Sequence, residues 1–425
     1  MSKPHSDPEQ APQRRDGLER KRPSARNIAA AIAALALVAL IALAPGGSSD
    51  NPDGEDFSSG DYRVNIVAYA VPKPGFDAII PAFRDTEAGQ DVGFAESYGA
   101  SGDQSRKVVR RVPADVVNFS VEPDITRLVK AGVVDEQWRE GIPGDTSDKA
   151  VPFGSVVSFV TRKGNPKNLR TWDDLLRDGV EVISPNPASS GSAKWNILAP
   201  YAYWFFQHLD GQRGSKDYVA AHEFATSRIR QLVETSFRVR PKSGREATSA
   251  FEQGQGDVLL SYENEAIMLD RTSEGGYDYL NPPATFRIEN PVAVVNTTDN
   301  PQQAQDFRDF LFTEEAQEIW ASEGFRPGSD LFTAPAGEQG AIIDSLPAAE
   351  RERFRPVDQV HSIDELAEAF AALAEQSPQL AEKHQLLEEG QPKSGWKIVD
   401  SFLFNRAQPG DGTADGVIST IYKEA

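Results

Sequence analysis

The sequence contains no cysteine. That excludes disulfides, thiolate metal sites, a cysteine nucleophile and a lipid-modified N-terminal cysteine. Histidine is scarce: His5, His208, His222, His361 and His384 form no metal-spaced pair, and His222-Glu223 lacks the second histidine of a zinc-binding helix. No G-x-S-x-G elbow and no P-loop occurs. Positive charge is also short, with 44 Lys+Arg against 64 Asp+Glu and a net charge of −20. Nucleic-acid binding rests on neutralising phosphates, so such a balance argues against it. The acidity reads instead as a solvated surface. No internal repeat is visible, and nothing in the sequence calls for a cofactor.

What is present begins at the N-terminus. Residues 1–27 carry seven basic and four acidic side chains and read as a basic cytoplasmic tail. "IAAAIAALALVALIALA" (28–44) follows, 17 apolar residues without a charge. This length suits a secretory signal or a short membrane anchor. The basic flank puts the N-terminus inside and the bulk outside. "ALA" at 42–44 resembles a cleavage motif, but Pro45 would hinder processing there, which favours an uncleaved anchor. Residues 45–61 are polar and rich in Gly, Ser and Asp, as in a flexible tether.

Beyond the tether, strand and helix patterns alternate. "DYRVNIVAYAV" (61–71), "DVGFAESYGASG" (91–102) and "ADVVNFSV" (114–121) read as strands, each followed by a helical pattern. This predicts a parallel sheet flanked by helices, hence an α/β fold. "SVVSFVTRKGNP" (155–166) is a strand leaving this unit, and "NPVAVVN" (290–296) is a strand that returns the chain to it. "TWDDLLRDG" (171–179) has the spacing of a capping box, Thr171 with Asp174. The expected organisation is a first lobe from 62–154 and 290–425, a second from 155–289, and a helical insertion at about 330–392.

One pattern recurs. "ASG" at 100–102, "SSGS" at 189–192 and "KSG" at 242–244 each fall where a loop becomes a helix. Serine is a preferred N-cap, so each alone is more simply read as capping, and Ser243 with Glu246 even has capping-box spacing. Helix starts also offer unpaired N–H donors and a partial positive charge, and a glycine allows close approach. Three such junctions in one α/β protein make an anion site without Lys or Arg.

The motifs "SYGASGDQSR", "VTRKGNPKNLRTWDDL", "VEVISPNPASSGSAKWN", "GQGDVLLSYENEA" and "EGFRP", in this order, resemble the sulfate- and thiosulfate-binding proteins of ABC importers. The likeness runs over about 64–328, and "SGWKIVD" (394–400) resumes it. The resemblance implies a two-lobe periplasmic-binding-protein fold of type II, a monomer, closing over a dehydrated oxyanion held by backbone N–H groups, a serine hydroxyl and a ring N–H. Carried onto this chain, Ala70, Ser101, Gly191, Ser192 and Gly244 supply N–H groups and Ser190 a hydroxyl. Tyr262 stands where the family has tryptophan. Ala70 replaces an aspartate, Ser192 a glycine and Gly244 an alanine, changes that spare a backbone donor. A tyrosine hydroxyl, unlike an indole N–H, can also accept. The implied role is extracytoplasmic capture of sulfate or thiosulfate for the permease subunits of an ABC importer, without enzymatic activity.

Other chemistries are less well matched. Molybdate or phosphate is an alternative oxyanion. Glu263 and Glu265 could suggest paired catalytic carboxylates, but i and i+2 on a helix do not face each other. Ferric binding by tyrosines needs an adjacent Tyr pair, which is missing. A membrane-anchored interaction module could use the apolar face of "HSIDELAEAFAALAEQ" (361–376), although such stripes more often pack on their own protein.

Overall fold

The computed structural model describes residues 58–425, apart from 213, 274, 335–337 and 408–412. The basic tail, the apolar run 28–44 and most of the tether lie outside the described residues. Among the described residues no helix is long and apolar enough to cross a membrane.

The chain starts with β1 (Tyr62–Tyr69), α1 (Lys73–Arg84), β2 (Val92–Gly99), α2 (Ser101–Val109), β3 (Val116–Asn118) and α3 (Glu122–Lys130). β1 pairs in parallel with both β2 and β3. Its Val64, Ile66, Val67, Ala68 and Tyr69 are all buried, as expected for a strand covered by helices on both faces.

The second part holds β4 (Phe153–Arg162), β5 (Val182–Ile183), α4 (Gly191–Asp210), α5 (Tyr218–Thr235), β6 (Phe237–Val239), α6 (Gly244–Glu252), β7 (Val258–Tyr262), α7 (Glu263–Thr272), β8 (Tyr277–Leu280) and β9 (Ala284–Asn290). The Thr171 segment forms a short 3₁₀ turn, and its capping box is complete. The larger sheet runs β12-β9-β4-β7-β5-β6, where β12 is Gln359–His361, and β8 and β11 (Arg326–Pro327) also pair with β4. A mostly parallel sheet was expected in each lobe. The smaller sheet fits, whereas the larger one is mixed. β4 is the cause: it is buried from Phe153 to Thr161, and β7, β8, β9 and β11 all lie antiparallel to it. A crossover strand enters the second sheet from the first and so runs against its neighbours.

α4 explains the aromatic run "WNILAPYAYWFF". Trp195, Tyr201, Trp204 and Phe205 are fully buried, so this is a core helix apolar almost all round. Its polar atoms are anchored: Trp195 Nε1 donates to the Ser120 carbonyl at 2.7 Å and Asn196 Nδ2 to that of Leu260 at 2.8 Å.

Strand β10 (Val292–Val294) lies antiparallel to β3 and extends the smaller sheet. The helix Glu314–Ser322 then packs on α1. The remainder, to 425, was expected with the first lobe, but β12 joins the larger sheet, in parallel with β9, and the helix Ile363–Gln376 packs on α5. The attraction is apolar. Leu366, Phe370 and Leu373 are buried, and Phe370 meets Tyr201 and Phe205 edge-on. The stripe is thus occupied by its own protein.

The same contact contains a titratable pair. Phe402 lies 4.6 Å from the His222 ring and 5.2 Å from that of His384. Tyr201 Oη is 2.8 Å from His222 Nδ1. Burial pushes both histidines down to about 4, and each is lowered further by the nearby Lys383 charge, His222 also by His384. In the unfolded chain they titrate near 6.5. Their neutral forms stabilise the fold fully above that pH, and this is lost as pH falls toward 4. His222 alone accounts for on the order of 3 kcal/mol at the acid end. Thermal melts at pH 7 and pH 4.5 should therefore differ less in His222→Gln than in the unaltered protein. An identical pH slope in the two would remove His222 from the acid response.

Candidate functional site

Three helices, α2, α4 and α6, begin at one place, and the loop Asn186–Ser190 holds them there. Asn186 organises the loop: its side chain accepts from the Ala188 N–H at 2.9 Å, and its carbonyl accepts from Ser189 at 3.1 Å and Ser190 at 2.9 Å. The Ser189 carbonyl then accepts from the Gly102 N–H at 3.3 Å, and its Oγ donates to the Lys242 carbonyl at 2.9 Å. One residue thereby links the starts of α2 and α6 to that of α4.

The serines at these starts divide by role. Ser243 is a true cap, its Oγ accepting from the Glu246 N–H at 3.2 Å. Ser101 lies one position inside its helix, behind Ala100, and its Oγ donates to Asp124 Oδ2 at 2.6 Å. Asp124 is in turn paired with Arg127 at 2.6 Å. Ser190, a buried residue, is the N-cap of α4 but makes no capping bond, and it lines a cavity. The N–H groups of Ser101, Gly191, Ser192 and Gly244 are unclaimed by the rest of the described chain. First-turn N–H groups of a helix have no intrahelical partner and point outward as donors.

The other expected positions meet here. A Cβ on Gly191 would lie 2.6 Å from Ser120 Cβ and 3.3 Å from Ser101 Cβ. A Cβ on Gly244 would lie 3.2 Å from Ser192 Oγ and 3.4 Å from a Val71 methyl, which puts the neighbouring Ala70 at the end of β1 beside α6. Tyr262 ends β7 and is buried; its Oη lies 2.7 Å from Ser120 Oγ, with the Ser192 and Asn290 side chains also in contact. Burial raises its pKa well above the ordinary tyrosine value, so it stays protonated. The structure thus gathers Ala70, Ser101, Ser190, Gly191, Ser192, Gly244 and Tyr262 around one point.

Three participants escaped the sequence reading: Ser120, Ser189 and Asn290. Ser120 and Asn290 closely follow or end strands, where ligands of open α/β sheets bind, and that was the available signal. Tyr69 is a further neighbour, its ring 6.3 Å from that of Tyr262 and its buried hydroxyl without a partner among the described residues.

Charge is present nearby but paired. A cavity of about 170 Å³ adjoins Gly102, Ser190 and Gly191 and is also lined by Arg106, Arg127 and Lys194. Arg106 pairs with Asp103 at 2.5 Å and Lys194 with Asp400 at 2.6 Å. The two glutamates after Tyr262 are also committed. Buried Glu263 holds Arg326 at 2.8 Å, and buried Glu265 holds Arg245 at 3.0 Å and Thr248 at 2.9 Å. Each is bound to its own partner.

Two helix-flanked sheets, with three helix starts gathered at one loop, are the architecture of a solute-binding protein. The chain belongs to the bacterial extracellular solute-binding proteins, whose family model matches residues 64–326. It is 37% identical over 291 residues to the sulfate-binding protein of Synechococcus elongatus, covering 67% of this chain and 78% of that one. It is 32% identical to the thiosulfate-binding protein of Pseudomonas aeruginosa, covering 70% and 88%. Among solved structures it is similar to the sulfate-binding protein SubI of Mycobacterium tuberculosis, at 46% identity and a TM-score of 0.62, covering 74% of this chain and 99% of that one. The resemblance carried by the motifs is borne out.

Proposed function

We propose that this protein captures sulfate or thiosulfate outside the cytoplasm and delivers it to the permease subunits of an ABC importer. The observation that carries the reading is the uncapped Ser190 hydroxyl among the unclaimed N–H groups of Ser101, Gly191, Ser192 and Gly244. Such a set is dominated by N–H donors and holds no carboxylate. It suits an anion that is fully ionised at neutral pH and disfavours one that retains a proton. The names of the related proteins support the same ligand class.

Calorimetric titration of the full chain with sulfate, thiosulfate, molybdate and phosphate tests this. Submillimolar binding of sulfate or thiosulfate, with phosphate at least roughly tenfold weaker, is the expected result. A hydrogen bond to a charged group contributes about 1.5–3 kcal/mol, so Ser190→Ala should weaken sulfate binding roughly 10- to 150-fold. Unchanged affinity would take Ser190 out of the site.

Attachment through residues 28–44 belongs to the same reading, with 62–154 and 155–289 as parts of two closing lobes and the protein acting as a monomer. Mass spectrometry of the mature N-terminus checks the anchor. A dominant soluble form beginning near residue 45 would mean a cleaved signal.

A further inference from the structure

Tyr262 poses a problem that the family pattern does not. An indole N–H can only donate, whereas a phenol has one proton and also accepts. A site with an acceptor would admit protonated oxyanions as well as fully ionised ones. The surroundings of the hydroxyl address this. Ser120 Oγ is 2.7 Å away, and the Ser192 hydroxyl and the Asn290 amide also touch it. Of these, the Ser120 hydroxyl lies at hydrogen-bond distance and can donate to the phenol oxygen, while Asn290 Nδ2 donates to the Ser120 carbonyl.

Ser120 is held in place from every side. Its N–H donates to Ser101 Oγ at 3.1 Å. Its carbonyl accepts from Trp195 Nε1 at 2.7 Å and from Asn290 Nδ2 at 3.1 Å. Ser120 and Asn290 are both fully buried, and Asn290 Oδ1 has no partner among the described residues. The side chain of Ser120 lies against Gly191 on one side and Tyr262 on the other, beneath the convergent N–H groups.

We propose that Ser120 is a positioning residue that makes Tyr262 a one-way donor. By donating to the phenol oxygen it occupies that oxygen's accepting lone pair, as the neighbour that lies at 2.7 Å from it. The Tyr262 proton is then directed at the bound oxyanion. Ser120 and Tyr262 together thereby read oxygen without a proton, as an indole would, and the site rejects oxyanions that carry one. The inference rests on the sulfate reading above and names the residue that sets its selectivity.

The test is competition titration of the full chain with sulfate and phosphate at pH 7. In Ser120→Ala the phenol oxygen becomes a free acceptor. Sulfate affinity should fall by less than about tenfold while phosphate affinity rises, so that the sulfate-to-phosphate ratio drops roughly tenfold. In a Tyr262→Phe background the same substitution should leave the ratio unchanged, because no phenol remains to be directed. Ser120→Cys keeps the volume with a weak donor and should lower the ratio in the same direction, which covers a failure of the alanine variant to fold. Equal loss of both anions, or a ratio change that persists without the phenol, would show Ser120 to be merely structural and overturn the proposal. Absence of sulfate binding by the unaltered chain would overturn the proposed function itself, whereas sulfate binding with an unchanged ratio in Ser120→Ala overturns only the role of Ser120.

Discussion

Glu263→Ala should destabilise the fold by about 3–5 kcal/mol, the usual consequence of stranding one member of a buried ion pair. The carboxylate is fully buried and serves four donors. Arg326 Nε reaches Oε2 at 2.8 Å, while Arg326 Nη2 at 3.2 Å, Asn281 Nδ2 at 2.7 Å and the Arg355 N–H at 2.9 Å converge on Oε1. Alanine leaves a buried guanidinium without a counter-charge and the other two donors without an acceptor. Glu263→Gln keeps an acceptor and should cost less. Against a total stability of roughly 5–15 kcal/mol the alanine loss is large. Urea unfolding at pH 7 measures it, and a loss below about 1 kcal/mol would show that the four bonds contribute nothing beyond solvation. Glu263 follows Tyr262 directly, so weaker anion binding should accompany the loss.

Gly191→Ala should act on the ligand instead. Alanine is a better helix former than glycine, so the start of α4 is not weakened. Its Cβ, however, would fall 2.6 Å from Ser120 Cβ and 2.8 Å from Ser120 Oγ. Either the start of α4 or the end of β3 must move, and the N–H groups of Gly191 and Ser192 move with it. Loss of two hydrogen bonds to an anion, at about 1.5–3 kcal/mol each, corresponds to a roughly 10²- to 10⁴-fold weaker sulfate affinity. The clash at fully buried Ser120 should also cost about 1–3 kcal/mol of stability, so the ligand-free melting temperature falls modestly. Affinity within threefold of the unaltered protein would mean that the anion does not sit between Gly191 and Ser120.

Ser243 and Ser190 show why short motifs are ambiguous. Both precede a helix and both read as caps. Ser243 caps, because Glu246 lies in reach, and Ser190 does not, because the Asn186 turn holds its backbone and leaves its hydroxyl to the site. Local spacing is the same kind of signal in each, and only the surroundings separate them. The packing of the helix Ile363–Gln376 is ambiguous for a similar reason. An apolar stripe on the helix Ile363–Gln376 specifies that something must cover it, without specifying which face of the protein does so, and Tyr201 and Phe205 supplied that face.

The sequence by itself determined the alternation of strand and helix, the three helix starts with their small residues, and the absence of any charge or thiol chemistry among the ligand candidates. These are local properties: side-chain period, capping chemistry and composition act over a few residues and are written in order along the chain. Tertiary structure alone decided that β4 would turn the second sheet mixed, that Ser189 would tie two helix starts to a third, and that Ser120 and Asn290 would surround the Tyr262 hydroxyl. Those partners are separated by 53 to more than 140 positions, as in Ser189 with Lys242 and Ser120 with Tyr262. A hydrogen bond between distant residues leaves no periodicity in either segment, because each side chain is chosen for a neighbour that only folding brings within 3 Å.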